Sequence, residues 1–327
     1  MALRVLFIGG TGIISSACAD LAVRRGIDLT VLNRGTGKRP LPAGAKVLTA
    51  DVRDPSAVRE ALGDSEFDVV VDFVAFTPEH VAADVEQFRG AVGQYVFVSS
   101  ASAYAKPVGH LPITESTPLR NPFWSYSRDK IACEELLTRE WRENGFPAFV
   151  VRPSHTYDRT SVPLDDGWTA IDRMRRGKPV VVHGDGTSTW VLTHHADFAQ
   201  GFVPLLGEPA VTGDVVHLTS DEVLTWDGIA RRLASAAGVD DPRIVHVPSE
   251  VVAREAPDRG PGLLGDKAHS VVFDNTKLKR LVPGFAATTS FAQGAREIVA
   301  HHDANPALQV VDPEVDAWQD RLVERFG

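Results

Sequence analysis

At 327 residues the chain is long enough to bury a large core, in one large or two closely joined domains. Its 43% hydrophobic and 24% charged residues are ordinary for a globular protein, and a formal charge of −9 argues against nucleic acid as the main partner, because phosphate backbones are bound by net-positive surfaces. Cys18 and Cys133, the only cysteines, are too few for a disulfide scaffold; with no apolar run of membrane-spanning length and no charged-then-apolar leader, a cytoplasmic protein with core-packed thiols is expected.

The first element is the clearest. Val5-Leu6-Phe7-Ile8 reads as a buried strand that breaks off in Gly9-Gly10-Thr11-Gly12, and Ile13-Ile14 begin a small and apolar run to Arg24-Arg25-Gly26, as strand, tight turn and helix would. Glycines suit such a turn because its backbone angles resist a Cβ and because a pyrophosphate must approach bare N–H groups at a helix N-terminus. A sharp turn with no ligand is the plainer alternative. Leu29–Leu32 reads as the second strand, completing a β-α-β unit of a length that favours a parallel sheet. Where an acidic residue would hold a ribose 2′-OH stand Asn33 and Arg34, followed by Thr36, Lys38 and Arg39; a neutral amide among cations suits a 2′-phosphate, so NADP is expected over NAD. A solvated basic loop would look the same.

Lys46–Asp51 is expected to be the third strand, with Asp51 placed to accept from an adenine amino group, and Asp54 and Ser56 can cap the next helix. Phe67–Phe76 is too apolar for a sheet edge and reads as its centre. Pro78-Glu79 open a helix to about Gly90, and Gln94–Val98 make a fifth strand ending in Ser99-Ser100. Ligands lie beyond the carboxyl ends of parallel strands, so these serines are candidates for chemistry, or else for capping the next turn. Tyr126 and Lys130 stand four apart, on one face of a helix. A phenol is a poor base at neutral pH, but an adjacent cation favours phenolate and lets it take or return a proton. An ordinary amphipathic face would show the same spacing.

Gly9-Gly10-Thr11-Gly12, Ser99 to Tyr104, and Tyr126 to Lys130 together resemble the extended short-chain dehydrogenase/reductase superfamily, in its NAD(P)-dependent epimerase/dehydratase branch. Arg152 to Tyr157, Gly184 to Asp197, and Phe273 to Lys277 are similar to later segments of that branch, so the likeness runs over nearly the whole chain. It implies an α/β fold: a Rossmann-type doubly wound parallel sheet (1–158 plus about 190–215) and a smaller substrate domain (159–189 and mainly 216–327). It implies Ser100 orienting the substrate oxygen, Tyr126 as proton donor or acceptor, and Lys130 holding the nicotinamide ribose. Implied cofactor contacts are Gly9, Gly10, Thr11, Gly12, Ile13, Ile14, Asn33, Arg34, Asp51, Val52, Phe73, Val74, Ala75, Pro153 and His155; implied substrate contacts are Ser102, His155 and Trp190.

Three departures narrow this. Ser15 replaces the third glycine of the turn motif; Trp190 stands where nucleotide-sugar members carry an Arg for the diphosphate; and Ala101-Ser102 replace the Asp-Glu pair with which dehydratases eliminate water. Epimerase or reductase chemistry on a sugar-like or other small substrate is therefore expected over dehydration. Trp190 either stacks on a ligand ring or is core, and His155 is either a second proton-transfer group or structural.

Farther on, helices are expected over Trp168–Arg176, Trp226–Ala237 capped from Thr219-Ser220, Val251–Arg254 capped from Pro248-Ser249, and within 306–327, where Val315, Trp318, Leu322 and Phe326 share a face. Arg254, Asp258 and Arg259 fall in a Pro/Gly-rich stretch read as a loop, with anion contacts or plain solvation open. The adjacent pairs His194-His195 and His301-His302 have no metal-ligand spacing, so no metal is expected. By analogy with the resembling fold, the Tyr126 helix and the helix near Val81–Arg89 pair two chains into a homodimer, with Ile131, Leu136 and Leu137 either in that contact or in the core. The rival readings are a redox-silent RNA-binding protein of the chloroplast stem-loop-binding type and an NADP-binding regulator.

Overall fold

A computed structural model describes residues 2–37 and 39–327; Lys38 lies outside the described residues. The first half of the chain alternates β1 (Arg4–Ile8), α1 (Ile13–Arg24), β2 (Asp28–Asn33), β3 (Lys46–Thr49), α2 (Pro55–Leu62), β4 (Val69–Asp72), α3 (Pro78–Phe88), β5 (Gln94–Val98), α4 (Ser125–Asn144) and β6 (Ala148–Pro153). Then come β7 (His155–Tyr157), α5 (Trp168–Arg175), β8 (Val180–His183), β9 (Thr189–Trp190), β10 (Leu192–His194), α6 (His195–Phe202), β11 (Val215–Leu218), β12 (Leu224–Thr225), α7 (Trp226–Ala236), β13 (Ile244–Val247), α8 (Ser249–Glu255), α9 (Gly260–Gly262), α10 (Thr276–Leu281), α11 (Phe291–Ala304) and α12 (Pro313–Phe326).

Seven strands form one parallel sheet in the order β11-β6-β5-β4-β1-β2-β3. Its central strands are apolar on both faces because helices cover both. On one side, Cys18 and Leu21 of α1 and Phe198 and Phe202 of α6 pack on Val5, Phe7 and Val71; on the other, Val85 of α3 and Cys133 and Leu137 of α4 pack on Leu6, Val70 and Phe97. This is the expected doubly wound sheet. Strand order reverses between β1 and β4, which opens a crevice at their carboxyl ends. A third core gathers Trp168, Ile171, Trp190, Trp226, Leu233 and Ile298 from α5, β9, α7 and α11. Among the described residues no helix is long and apolar enough to cross a membrane.

Several boundaries move, for local reasons. The apolar run Phe67–Phe76 yields a strand of only Val69–Asp72, because the Asp72 carboxylate accepts from the Val74 and Ala75 N–H groups at 2.5 and 2.7 Å and turns the chain. Asp54 caps α2 as expected, accepting from Ser56 and Ala57. α7 is capped by Thr225, not from Thr219-Ser220: the helix begins at Trp226, so Thr225 holds the cap position and accepts from the Gly228 N–H. α8 begins after Pro248 with no side-chain cap. The stretch read as a loop around Arg259 continues into α9 and a π-helical turn, Leu263–Lys267; Arg259 is paired with Asp166 over the Trp318 ring, not free for an anion. The last helix starts at Pro313, capped by Asp312. β11 pairs with β6, so Val216–Leu218 lie in the large sheet.

Candidate functional site

The glycine turn is dictated by packing before any ligand is considered. Gly9 has φ +79°, and a Cβ there would fall 2.6 Å from Val74 Cγ1; at Gly10 it would fall 2.5 Å from Val31 Cγ1. Gly12 opens α1 and donates its N–H to Ser15 Oγ at 2.9 Å, so the residue replacing the third glycine is a buried hydroxyl that ties the helix start together. Gly9→Ala should cost about 1–2 kcal/mol for a side chain in left-handed backbone, measured by denaturant unfolding, and should displace Val74.

From this turn a groove of about 350 Å³ runs over the ends of β1, β2 and β3, lined among others by Gly9, Thr11, Asn33, Arg34, Asp51 and Val52. Asn33 Oδ1 accepts from the Gly35 N–H at 2.7 Å and so shapes the bend, leaving Arg34 exposed. Of the other expected cations, Arg39 is committed elsewhere: it bonds Asp158 at 2.8 Å and the Thr160 hydroxyl at 2.6 Å. Arg53, which the sequence reading missed, lines the groove and holds the Val74 carbonyl. Gly10, Gly12, Ile13, Ile14, Phe73 and Ala75 do not line it. Phe73 faces Phe7 and Phe202 in the core, at ring centroids of 5.1 and 5.8 Å.

A second cavity, about 270 Å³, opens over the end of β5. Its walls bring together Ser100, Ser102, Tyr126, Pro153, His155 and Trp190, which are scattered over 90 residues of sequence, with Phe273 of the C-terminal motif and with Trp124, Asp266 and Lys267, which the sequence did not single out. Strand alternation separates the two serines: Ser99 points inward and donates to Glu134 at 2.5 Å, whereas Ser100 faces the cavity. Ser100 also accepts from the Ser102 N–H at 3.2 Å, so it caps the following turn and lines the cavity at once. Tyr126 shares the cavity wall with Ser100, and its ring lies 4.8 Å from the Trp124 ring centroid. Burial raises its phenol above the usual tyrosine range, and the nearby Ser100 hydroxyl works against that.

Lys130 is 1% exposed and lies one turn below Tyr126, its Nζ 5.8 Å from the phenol ring centroid. Nζ donates to the carbonyls of Ala75 (2.6 Å) and Val98 (2.8 Å), and burial pulls its pKa down to about 8. Phe76, on the groove wall, stands 6.4 Å from Tyr126, on the cavity wall, so the two spaces meet at this helix face.

Trp190 is 3% exposed, packs on Trp226, and donates its indole N–H to His155 Nδ1 at 3.2 Å. It is therefore both core and cavity wall. Burial pushes the His155 pKa down to about 4, so the ring is neutral at physiological pH. Arg152 forms a buried pair with Glu134 (2.5 Å) and covers the Tyr104 ring, anchoring the end of β6 beneath the cavity.

With this geometry in view, comparison with known proteins is informative. A curated reductase, 2'-dehydrokanamycin reductase of Streptomyces kanamyceticus, is 30% identical over 290 residues, covering 86% of this chain and 80% of its own. The chloroplast stem-loop binding protein of 41 kDa b of Arabidopsis thaliana is 27% identical over 256 residues, covering 74% and 65%. Among solved structures, the epimerase Mth375 of Methanothermobacter thermautotrophicus superposes with a TM-score of 0.76 at 16% identity over 94% of both chains, a likeness of fold alone. The family model for the NAD dependent epimerase/dehydratase family matches residues 5–218, and the chain belongs to that family.

Proposed function

We propose that the chain oxidises or reduces a hydroxyl/carbonyl carbon, as a reductase or as half of an epimerisation, with Tyr126 as the proton-transfer group. The observation that carries this is Tyr126, on the cavity wall with Ser100 and backed by Lys130, where the cavity meets the glycine-turn groove. The groove fits a dinucleotide: its turn has no room for a Cβ, and Asp51 and Asn33 lie within it. Gly9, Thr11, Asn33, Arg34, Asp51 and Val52 would hold that cofactor, which supplies or accepts hydride when bound. Ser100 orients the substrate oxygen, Tyr126 gives or takes its proton, and the Lys130 ammonium favours phenolate. Neutral His155 serves as a hydrogen-bonding wall group and not as a second acid.

Arg34 is an exposed cation on the groove, which supports a preference for NADP. Arg34→Ala should weaken NADP binding by roughly ten- to a hundredfold, the value of one charge-assisted contact, and leave NAD binding unchanged in calorimetry. The substrate is a small molecule bound among Trp124, Trp190 and Phe273. A nucleotide sugar is one candidate class. A phosphate-free ring compound is favoured by charge, because Lys267 is paired with Asp165 (3.3 Å) and Lys106 with Asp266 (3.2 Å), which leaves neither lysine free for a diphosphate. We also propose a two-part chain, 1–158 with about 190–218 against the remainder, a homodimer formed through α3 and α4, and a cytoplasmic location; the last is supported by two buried free thiols. The RNA-binding reading has a relative's name behind it, but the charge of −9 stands against it. The test is NADPH oxidation across a panel of keto sugars, nucleotide sugars and simple ketones; dinucleotide-dependent turnover is expected. RNA binding without dinucleotide uptake would refute it.

A further inference from the structure

Ser100 does not stand alone on the cavity wall: a chain of hydroxyl groups runs from it into the core. Ser127, on α4 next to Tyr126 and fully buried, donates to Ser102 Oγ at 2.8 Å, and Ser102 Oγ lies 2.9 Å from Ser100 Oγ, where either hydroxyl could be the donor. Ser102 is 3% exposed, and its turn is pinned from outside, because Asn121 Nδ2 donates to the Ser102 carbonyl at 3.0 Å and to the Gly265 carbonyl at 2.6 Å. The sense of the chain follows from counting hydrogens. A serine hydroxyl has one hydrogen to give and two lone pairs. If Ser100 donated to Ser102, the Ser102 hydrogen would be left without a protein partner on a group almost closed to solvent, at a cost in free energy that the opposite sense avoids. If Ser102 donates to Ser100, every interior hydrogen is used. Ser100 Oγ then accepts twice, from Ser102 Oγ and from the Ser102 N–H at 3.2 Å, so both its lone pairs are filled. The one hydrogen left over is its own, and Ser100 is the half-buried member of the chain, on the cavity wall.

We propose that Ser102 and Ser127 are positioning residues that make Ser100 an obligate hydrogen-bond donor to the substrate oxygen. This rests on reading the wall that carries Ser100 and Tyr126 as the reactive one. With both lone pairs filled, Ser100 cannot take a proton from a substrate hydroxyl, so that proton passes through Tyr126 alone. What Ser100 can do is hold an oxygen that gains negative charge, since a donor already aimed at it binds more strongly as the charge develops. The reacting group that this wall fits is a ketone or aldehyde carbonyl and the alcohol made from it. Ser102, one of the two residues that replace the eliminating Asp-Glu pair of dehydratases, thus places a hydrogen and takes no part in elimination.

Neutron diffraction from crystals of the perdeuterated protein tests the sense of the chain with no ligand needed. Deuterium is expected on Ser127 directed at Ser102, on Ser102 directed at Ser100, and on Ser100 directed into the cavity; a Ser100 deuterium directed at Ser102 overturns the proposal. A kinetic arm uses the carbonyl compound of the panel above that is reduced fastest. In Ser127→Ala, Ser102 Oγ loses its donor and the Ser100 hydrogen is free to turn inward. Its kcat should therefore fall roughly three- to tenfold, the worth of about one hydrogen bond, with dinucleotide affinity unchanged, and Ser127→Thr, which restores the hydroxyl, should recover most of the loss. An unchanged kcat in Ser127→Ala beside a large loss in Ser100→Ala also overturns the proposal; should Ser127→Ala not fold, the neutron map decides. If the deuterium positions are as expected but Ser100→Ala turns over normally, the reading of this wall as reactive fails and the order of hydrogens stands.

Discussion

Tyr126→Phe is expected to lower turnover by roughly 10²–10⁴-fold, the usual contribution of a positioned proton donor, while leaving dinucleotide affinity largely unchanged. The substitution removes one oxygen from a ring held by Trp124 on one side and Phe76 on the other, so the fold has no reason to change. It leaves the Ser100 bond to the Ser102 N–H undisturbed. Steady-state rates beside calorimetric dinucleotide titrations separate the possibilities: a binder or regulator would be indifferent to the missing hydroxyl.

Glu134→Ala acts on stability instead. It leaves the Arg152 guanidinium, 4% exposed, without its carboxylate, and breaking one half of a buried pair costs about 3–5 kcal/mol. The Ser99 hydroxyl loses its acceptor as well. Chemical denaturation should show this loss, and Glu134→Gln, which keeps an acceptor, should lose less. Because Arg152 also covers Tyr104, whose hydroxyl bonds His217 at 3.0 Å, the damage should spread to β11 at the sheet edge.

What could be read in advance was local. The β1–glycine–α1 unit, the Asp54 cap, the Ser-ended β5 and the Tyr126/Lys130 spacing depend on neighbours a few residues away, and they stand where expected. What escaped notice depends on partners far apart in sequence. Arg39 looked free because Asp158, which takes it, is 119 residues distant. The π-helical turn that carries Asp266 and Lys267 to the cavity has no 3.6- or 2-residue period to announce it. Lys130 was expected to reach a ribose, yet its amine is engaged by two main-chain carbonyls, one of them set by Asp72 through a turn that also cut β4 short. Thr225 caps α7 because it stands directly before Trp226, where its Oγ1 accepts from the Gly228 N–H, while Thr219 is bonded to Asn275 from another part of the chain.

The most direct measurement is a fluorescence titration of the purified protein with NADPH and with NADH, following energy transfer from tryptophan to the reduced nicotinamide, since Trp124 and Trp190 both line the cavity beside Tyr126. Saturable transfer at one dinucleotide per chain, weakened in Gly9→Ala, is the expected result. Absence of transfer and of any binding with either dinucleotide would contradict the assignment of the glycine-turn groove and, with it, the chemistry assigned to Tyr126.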